Sequence, residues 1–71
     1  MKYNIGDKII LSKGYRDRAK KYWPIPLALL DKQHEIKETY TNKENTTWIY
    51  FGEKDLNGNR IYVRERDVRF R

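Results

Sequence analysis

Few side chains in this sequence could do chemistry, and their spacing decides which kind. His34 is the single histidine and the one group whose ordinary pKa suits proton exchange near neutral pH. General-base work needs a nucleophile or a partner acid held in reach, and neither Ser12 nor Asp31 stands at a recognisable spacing from it. His34 therefore reads as an ordinary histidine at the start of a strand. Glu53, Asp55 and Asn57 alternate through "EKDLNG" in the manner of a cation loop. Lys54 sits between the two acids, however, and the closing Glu and flanking helices of a calcium hand are lacking, so the segment reads as an acidic hairpin tip. Gly6, Gly14, Gly52 and Gly58 are scattered and form no phosphate cradle. The absence of cysteine excludes disulfides and thiolate zinc sites, and a lone histidine makes no imidazole cluster. No convergent catalytic set can be assembled. The sequence predicts a protein that is not an enzyme and that uses no cofactor or metal.

What the sequence does carry is the chemistry of anion recognition. "KGYRDRAKKYWPIP" sets Lys13, Arg16, Arg18, Lys20 and Lys21 against the single acid Asp17, with Tyr15, Tyr22 and Trp23 interleaved. Cationic side chains neutralise phosphates and release counterions, which gives affinity without regard to base sequence. Aromatic rings stack on exposed bases for about 1–3 kcal/mol each. A second cluster closes the chain, where "RIYVRERDVRFR" carries Arg60, Arg64, Arg66, Arg69 and Arg71 against Glu65 and Asp67. Arginine suits phosphate because its planar fork makes two hydrogen bonds. With Ile61 and Val63 pointing inward, Arg60, Tyr62 and Arg64 form an outward stripe. Each cluster also has a plainer account. Tyr22, Trp23, Ile25 and Leu27 could plug the underside of the domain, leaving the Lys and Arg merely solvated. The arginines could equally pair with Glu65, Asp67 and Glu53 in exposed ion pairs of small value.

The distribution of charge bears on that choice. The chain carries a net +6, made up unevenly: residues 13–21 hold +4, residues 60–71 hold +3, and residues 22–59 hold −2. Such asymmetry fits an electropositive face meeting an anionic partner, although small domains also carry net charge for solubility. Seventy-one residues allow one domain, 1–71, with a modest core. Without disulfides or metal, that core must come from aliphatic side chains and from the two Trp, six Tyr and two Phe. "MKYNIGDKIIL" has no signal-peptide character and "WPIPLALL" is too short to span a bilayer. The expectation is a soluble cytoplasmic protein with no membrane partner.

The elements that would position these residues follow from pattern. "YNIGDKIILS" gives a first strand from about Lys8 to Ser12, with Ile9 and Leu11 on one face and Ile10 on the other. Lys13 to Pro26 shows neither strand nor helix period and reads as a long loop. Around "LALLDKQHEIKETY" two readings stay open: a short helical turn or loop at Pro26–Leu30 followed by a strand from about His34 to Thr41, or one helix from Pro26 to Glu38. "TNKENTT" is a polar turn. "TTWIYFGE" is a strand with Trp48 and Tyr50 on one face and Ile49 and Phe51 on the other. Asn57-Gly58 is the strongest hairpin signal, implying positive φ at both positions. "RIYVRE" returns, and "RDVRFR" adds a short turn and a last strand through Val68 and Phe70.

In this order the features resemble a family of small SH3-like β-barrels, many encoded by bacteriophages. The matching pieces are "YNIGDKIIL", "LLDKQHEIKETY" and "YFGEKDLNGNRIYVRERDVRF", which together span the chain. A fainter similarity to KOW-type modules lacks their turn glycine, where "DKQHEI" stands instead. The resemblance implies a mainly β fold: a small barrel of four to five antiparallel strands, closed to remove sheet edges, with a long loop after strand one. It brings no catalytic residues. The expected function is nucleic-acid binding, to DNA or RNA, through Lys13, Tyr15, Arg16, Arg18, Lys20, Lys21 and Trp23 together with Arg60, Arg64, Arg66 and Arg69. The alternatives are an adaptor or inhibitor docking on a host protein, as the resemblance to phage-encoded barrels, many of which do so, implies, and an oligomerising module.

Overall fold

The computed structural model describes residues 3–70. The first strand, β1 (Lys8–Leu11), buries Ile9 and Leu11 and turns Ile10 outward, as its alternation requires. Ser12 then caps a helix, α1 (Lys13–Tyr22): its hydroxyl accepts from the Tyr15 backbone N–H at 3.2 Å, and its carbonyl accepts from Arg16 N–H at 3.0 Å. The helix replaces the loop expected over residues 13–26. Arg, Ala and Lys favour the helical backbone, and burial of just Tyr15 and Ala19, one turn apart, docks it on the core. It stops at Trp23, whose N–H still reaches the Ala19 carbonyl, because Pro24 cannot continue it. Lys20 and Lys21 in its last turn complement the negative end of the helix dipole.

A 3-10 turn at Leu27–Leu29 agrees with the short-turn reading of that region and excludes the long helix to Glu38. The strand expected from His34 to Thr41 is two strands, β2 (His34–Glu35) and β3 (Glu38–Thr41). The break has a reason: the chain changes sheet there. Before it, β2 pairs with β1, and Ile36 N–H and C=O bond to Asp7 and Gly6; after it, Lys37 N–H bonds to Tyr50 and β3 pairs with β4. Ile36, fully buried, is the pivot between the two.

Strand β4 (Thr47–Lys54) is the longest and turns back through residues 55–59 into β5 (Arg60–Arg64). Gly52, at φ +86, breaks the ladder between Tyr50 and Lys54, a left-handed position that glycine takes without strain. The hairpin tip differs from the expected turn, since Gly58 alone has positive φ and Asn57 does not. Asp55 is the cause: its carboxylate accepts the N–H groups of Asn57 and Asn59 at 2.9 and 3.0 Å, and its carbonyl accepts that of Gly58. A 3-10 turn, Glu65–Asp67, leads into β6 (Val68–Phe70), which pairs with β1.

The fold is thus a small mixed α/β domain rather than the mainly β one expected: the described residues form one helix and six short strands, not four to five, in two antiparallel sheets ordered β2-β1-β6 and β3-β4-β5. The ladders among the described residues do not close into a single barrel. Ile9, Leu30, Ile36, Ile49 and Val63 form the fully buried centre between the sheets. No helix among the described residues is long and apolar enough to cross a membrane.

Candidate nucleic-acid interface

Because α1 buries the Tyr15–Ala19 stripe, its other positions fall on defined sides. Lys13, Lys20 and Lys21 are exposed, on the side facing away from the core. Arg16 flanks the stripe on one side and meets Asp31, Nη1 to Oδ1, at 3.2 Å. Arg18 flanks the other and meets Asp67, Nη2 to Oδ1, at 3.0 Å. Asp67 is buried, and its second carboxylate oxygen accepts the Arg64 backbone N–H at 3.0 Å. One carboxylate thereby fastens the helix to the end of β5.

That fastening makes a groove of about 550 Å³ between α1 and the β4–β5 hairpin. Arg18 and Trp23 stand on one bank, and Arg60, Tyr62, Arg64 and Arg66 on the other. A backbone bond from Leu56 N–H to the Pro24 carbonyl, 2.7 Å, ties the banks together beyond the helix. The two basic clusters, some forty residues apart in sequence, share this groove in part. Arg18, Arg60, Arg64 and Arg66 come together, with Asp55 and Asp67 as the acids among them. Lys13, Lys20 and Lys21 lie on the outward helix face, Arg16 on the far flank, and Arg69 on the other sheet opposite Ile10. Arg71 lies outside the described residues.

Trp23 satisfies parts of both readings made of it. Its ring packs on Tyr15 at 5.0 Å, under the Arg18 guanidinium at 5.7 Å, yet it remains 40% exposed on the groove wall. The apolar plug reduces to Ile25, which packs on the core; Tyr22 and Leu27 are exposed. Tyr15 is held hard in the neutral state. Burial first and the Asp67 carboxylate second push its phenol from 10.0 up to about 12, with Arg18 pulling the other way. Above the ordinary tyrosine pKa the unfolded chain releases this proton before the folded one does. The folded state therefore keeps its full margin below about pH 10 and loses part of it as pH climbs toward about 12. Denaturant melts on either side of pH 10 should show that decline, and Tyr15→Phe should flatten it.

The pattern reading missed the other aromatic surface as a site. On the outer face of β3-β4-β5 the register aligns Glu38, Tyr50 and Tyr62 in one row and Tyr40, Trp48 and Arg64 in the next. The Arg60 guanidinium lies 4.5 Å from the Tyr50 ring centroid and that of Arg64 lies 5.1 Å from Trp48. Arg60 also meets Glu38, Nη1 to Oε2, at 3.0 Å. This shallow depression of about 710 Å³ adjoins the groove, since Trp48 and Tyr62 line both. The signal was present in the alternation of Trp48 with Tyr50 and of Arg60 with Tyr62 and Arg64. Joining those stripes needed the pairing register, which sequence alone does not supply.

His34 is buried and its Nε2 donates to the Leu29 carbonyl at 2.7 Å, with its ring on Phe51. It closes the 30–33 segment onto β2. Among the described residues no three His, Cys, Asp or Glu side chains are grouped so as to hold a metal. Compared with protein-family models, curated protein sequences and solved structures, the chain matches none.

Proposed function

We propose that the protein is a non-enzymatic nucleic-acid-binding module of the cytoplasm, built on an SH3-like fold. The strand path supports the fold: first and last strands pair, the 34–41 segment passes from one sheet to the other, and a 3-10 turn precedes β6. The helix occupies the place of the long loop after strand one. The observation that carries the function is the groove, where Arg18, Arg60, Arg64 and Arg66 converge beside Trp23, Trp48 and Tyr62. Cations bracketed by flat rings suit a polyanion with aromatic bases. Fluorescence anisotropy with labelled oligonucleotides across a salt series tests this. Affinity should fall steeply as salt rises, and binding no better than millimolar at low salt would overturn the reading.

A second reading, an adaptor for a host protein, is favoured by one feature: Ile5 and Tyr40 are both exposed and both line the depression on the outer face of the sheet. Capture of a partner protein that survives nuclease treatment, together with failure to bind oligonucleotides, would support it.

A further inference from the structure

We infer that the outer face of β3-β4-β5 is a base-stacking shelf, so that the preferred ligand is a single strand, of DNA or RNA, rather than a duplex. This rests on the nucleic-acid reading of the adjoining groove. The core side of the sheet is filled by Ile49, Phe51, Ile61 and Val63, so alternation forces Tyr40, Trp48, Tyr50 and Tyr62 outward. Tyr40 is 63% exposed and Tyr62 is 46% exposed, an unusual outlay of aromatic surface for so small a domain.

Charge selects the occupant. Guanidinium groups are laid on the rings, Arg60 on Tyr50 and Arg64 on Trp48, so cation outweighs the acid Glu38, which lines the same face and pairs with Arg60. Flat ring surface and cation thus alternate across neighbouring strands, with the Tyr50 and Tyr62 centroids 5.7 Å apart. A single-stranded nucleic acid repeats the complementary pair, one base and one phosphate per unit. In a duplex the base faces are already stacked, so it could meet only the arginines. Tyr40 and Tyr62 offer ring surface to bases. Arg60 and Arg64, ordered by their contacts with Tyr50 and Trp48, face the phosphates, and the strand continues past Tyr62 into the groove toward Arg18 and Arg66.

The test uses the full chain with labelled oligo(dT), oligo(U) and a duplex of equal length. The parent should bind both single strands more tightly than the duplex. Tyr40→Ala and Tyr62→Ala should each weaken single-strand binding by about 5- to 100-fold, and Tyr40→Ala, which lies outside the groove, should leave duplex affinity and the salt slope unchanged. Tyr40→Phe and Tyr62→Phe keep the ring and should bind as the parent does, which separates stacking from the hydroxyl; thermal melting checks that each variant is folded. If both alanine variants bind the single strand within about twofold of a parent that still shows salt-dependent binding, the shelf is overturned and the groove reading stands. If the parent binds neither single strand nor duplex, the nucleic-acid reading fails and the shelf falls with it.

Discussion

Asp67→Ala is expected to lower folding stability by about 2–3 kcal/mol, measured by urea denaturation. Asp67 is buried and joins three parts of the chain: its Oδ1 takes Arg18 from α1, its Oδ2 takes the Arg64 backbone N–H at the end of β5, and its backbone carbonyl takes Ser12 N–H at 2.8 Å. Alanine keeps only the last. The Arg18 side chain is about half exposed, so water replaces its partner and that share of the loss is small. Most of the effect comes from the Arg64 N–H, which is left without an acceptor at the start of a 3-10 turn. Asp67→Asn retains one acceptor oxygen and should recover roughly half of the loss. A second readout follows from Tyr15. The Asp67 carboxylate helps to raise that phenol, so both substitutions should move its alkaline titration downward. A variant within about 0.5 kcal/mol of the parent would show that the helix docks through Tyr15 and Ala19 alone.

Where strands alternate, the fold was legible. The inward faces of β1, β4 and β5 follow directly from Ile9 and Leu11, from Ile49 and Phe51, and from Ile61 and Val63. The helix was not, and the reason is quantitative: an amphipathic stripe needs three or four apolar positions to announce itself, and α1 buries two. Ser12 ahead of "KGYRDRAKKY" was the available signal, since a cap residue before good helix formers marks a helix start. The split of residues 34–41 was hidden for another reason. An extended chain has the same local pattern whether it stays in one sheet or crosses to a second, so only the partners of Ile36 and Lys37 reveal the change.

The candidate site was legible in kind but not in membership. Charge runs singled out residues 13–21 and 60–71, while the fold decides which cations share a surface. Arg18 and Arg16 are two residues apart, hence on opposite flanks of the buried stripe, and only Arg18 reaches the groove. Arg69 pairs with Ile10 on the other sheet, so proximity in sequence to Arg66 says nothing about its direction. The aromatic rows of Tyr40, Trp48, Tyr50 and Tyr62 are assembled from three strands, and no single window of sequence contains them.

The joint substitution Arg60→Ala with Arg64→Ala is expected to reduce single-strand affinity on the order of 100-fold at low salt, taking about 1.5 kcal/mol for each charged hydrogen-bonding group removed. Both side chains belong to the groove, and both also lie on rings of the adjoining face, so they are the cations common to the two surfaces. Loss of two phosphate contacts should reduce the slope of log affinity against log salt by about 1.4, because each contact to a single strand contributes about 0.7. The stability change should be small. Arg60 is exposed and its pair with Glu38 is an exposed one, while the Arg64 bond to Asp67 runs through the backbone and survives the substitution. The slope is the discriminating quantity. A fall in affinity with the slope unchanged would mean that these arginines act by ordering Tyr50 and Trp48 rather than by meeting phosphate. Lys20→Ala with Lys21→Ala supplies the contrast: the same charge is removed from the outward face of α1, and on this geometry the affinity should change by less than about threefold.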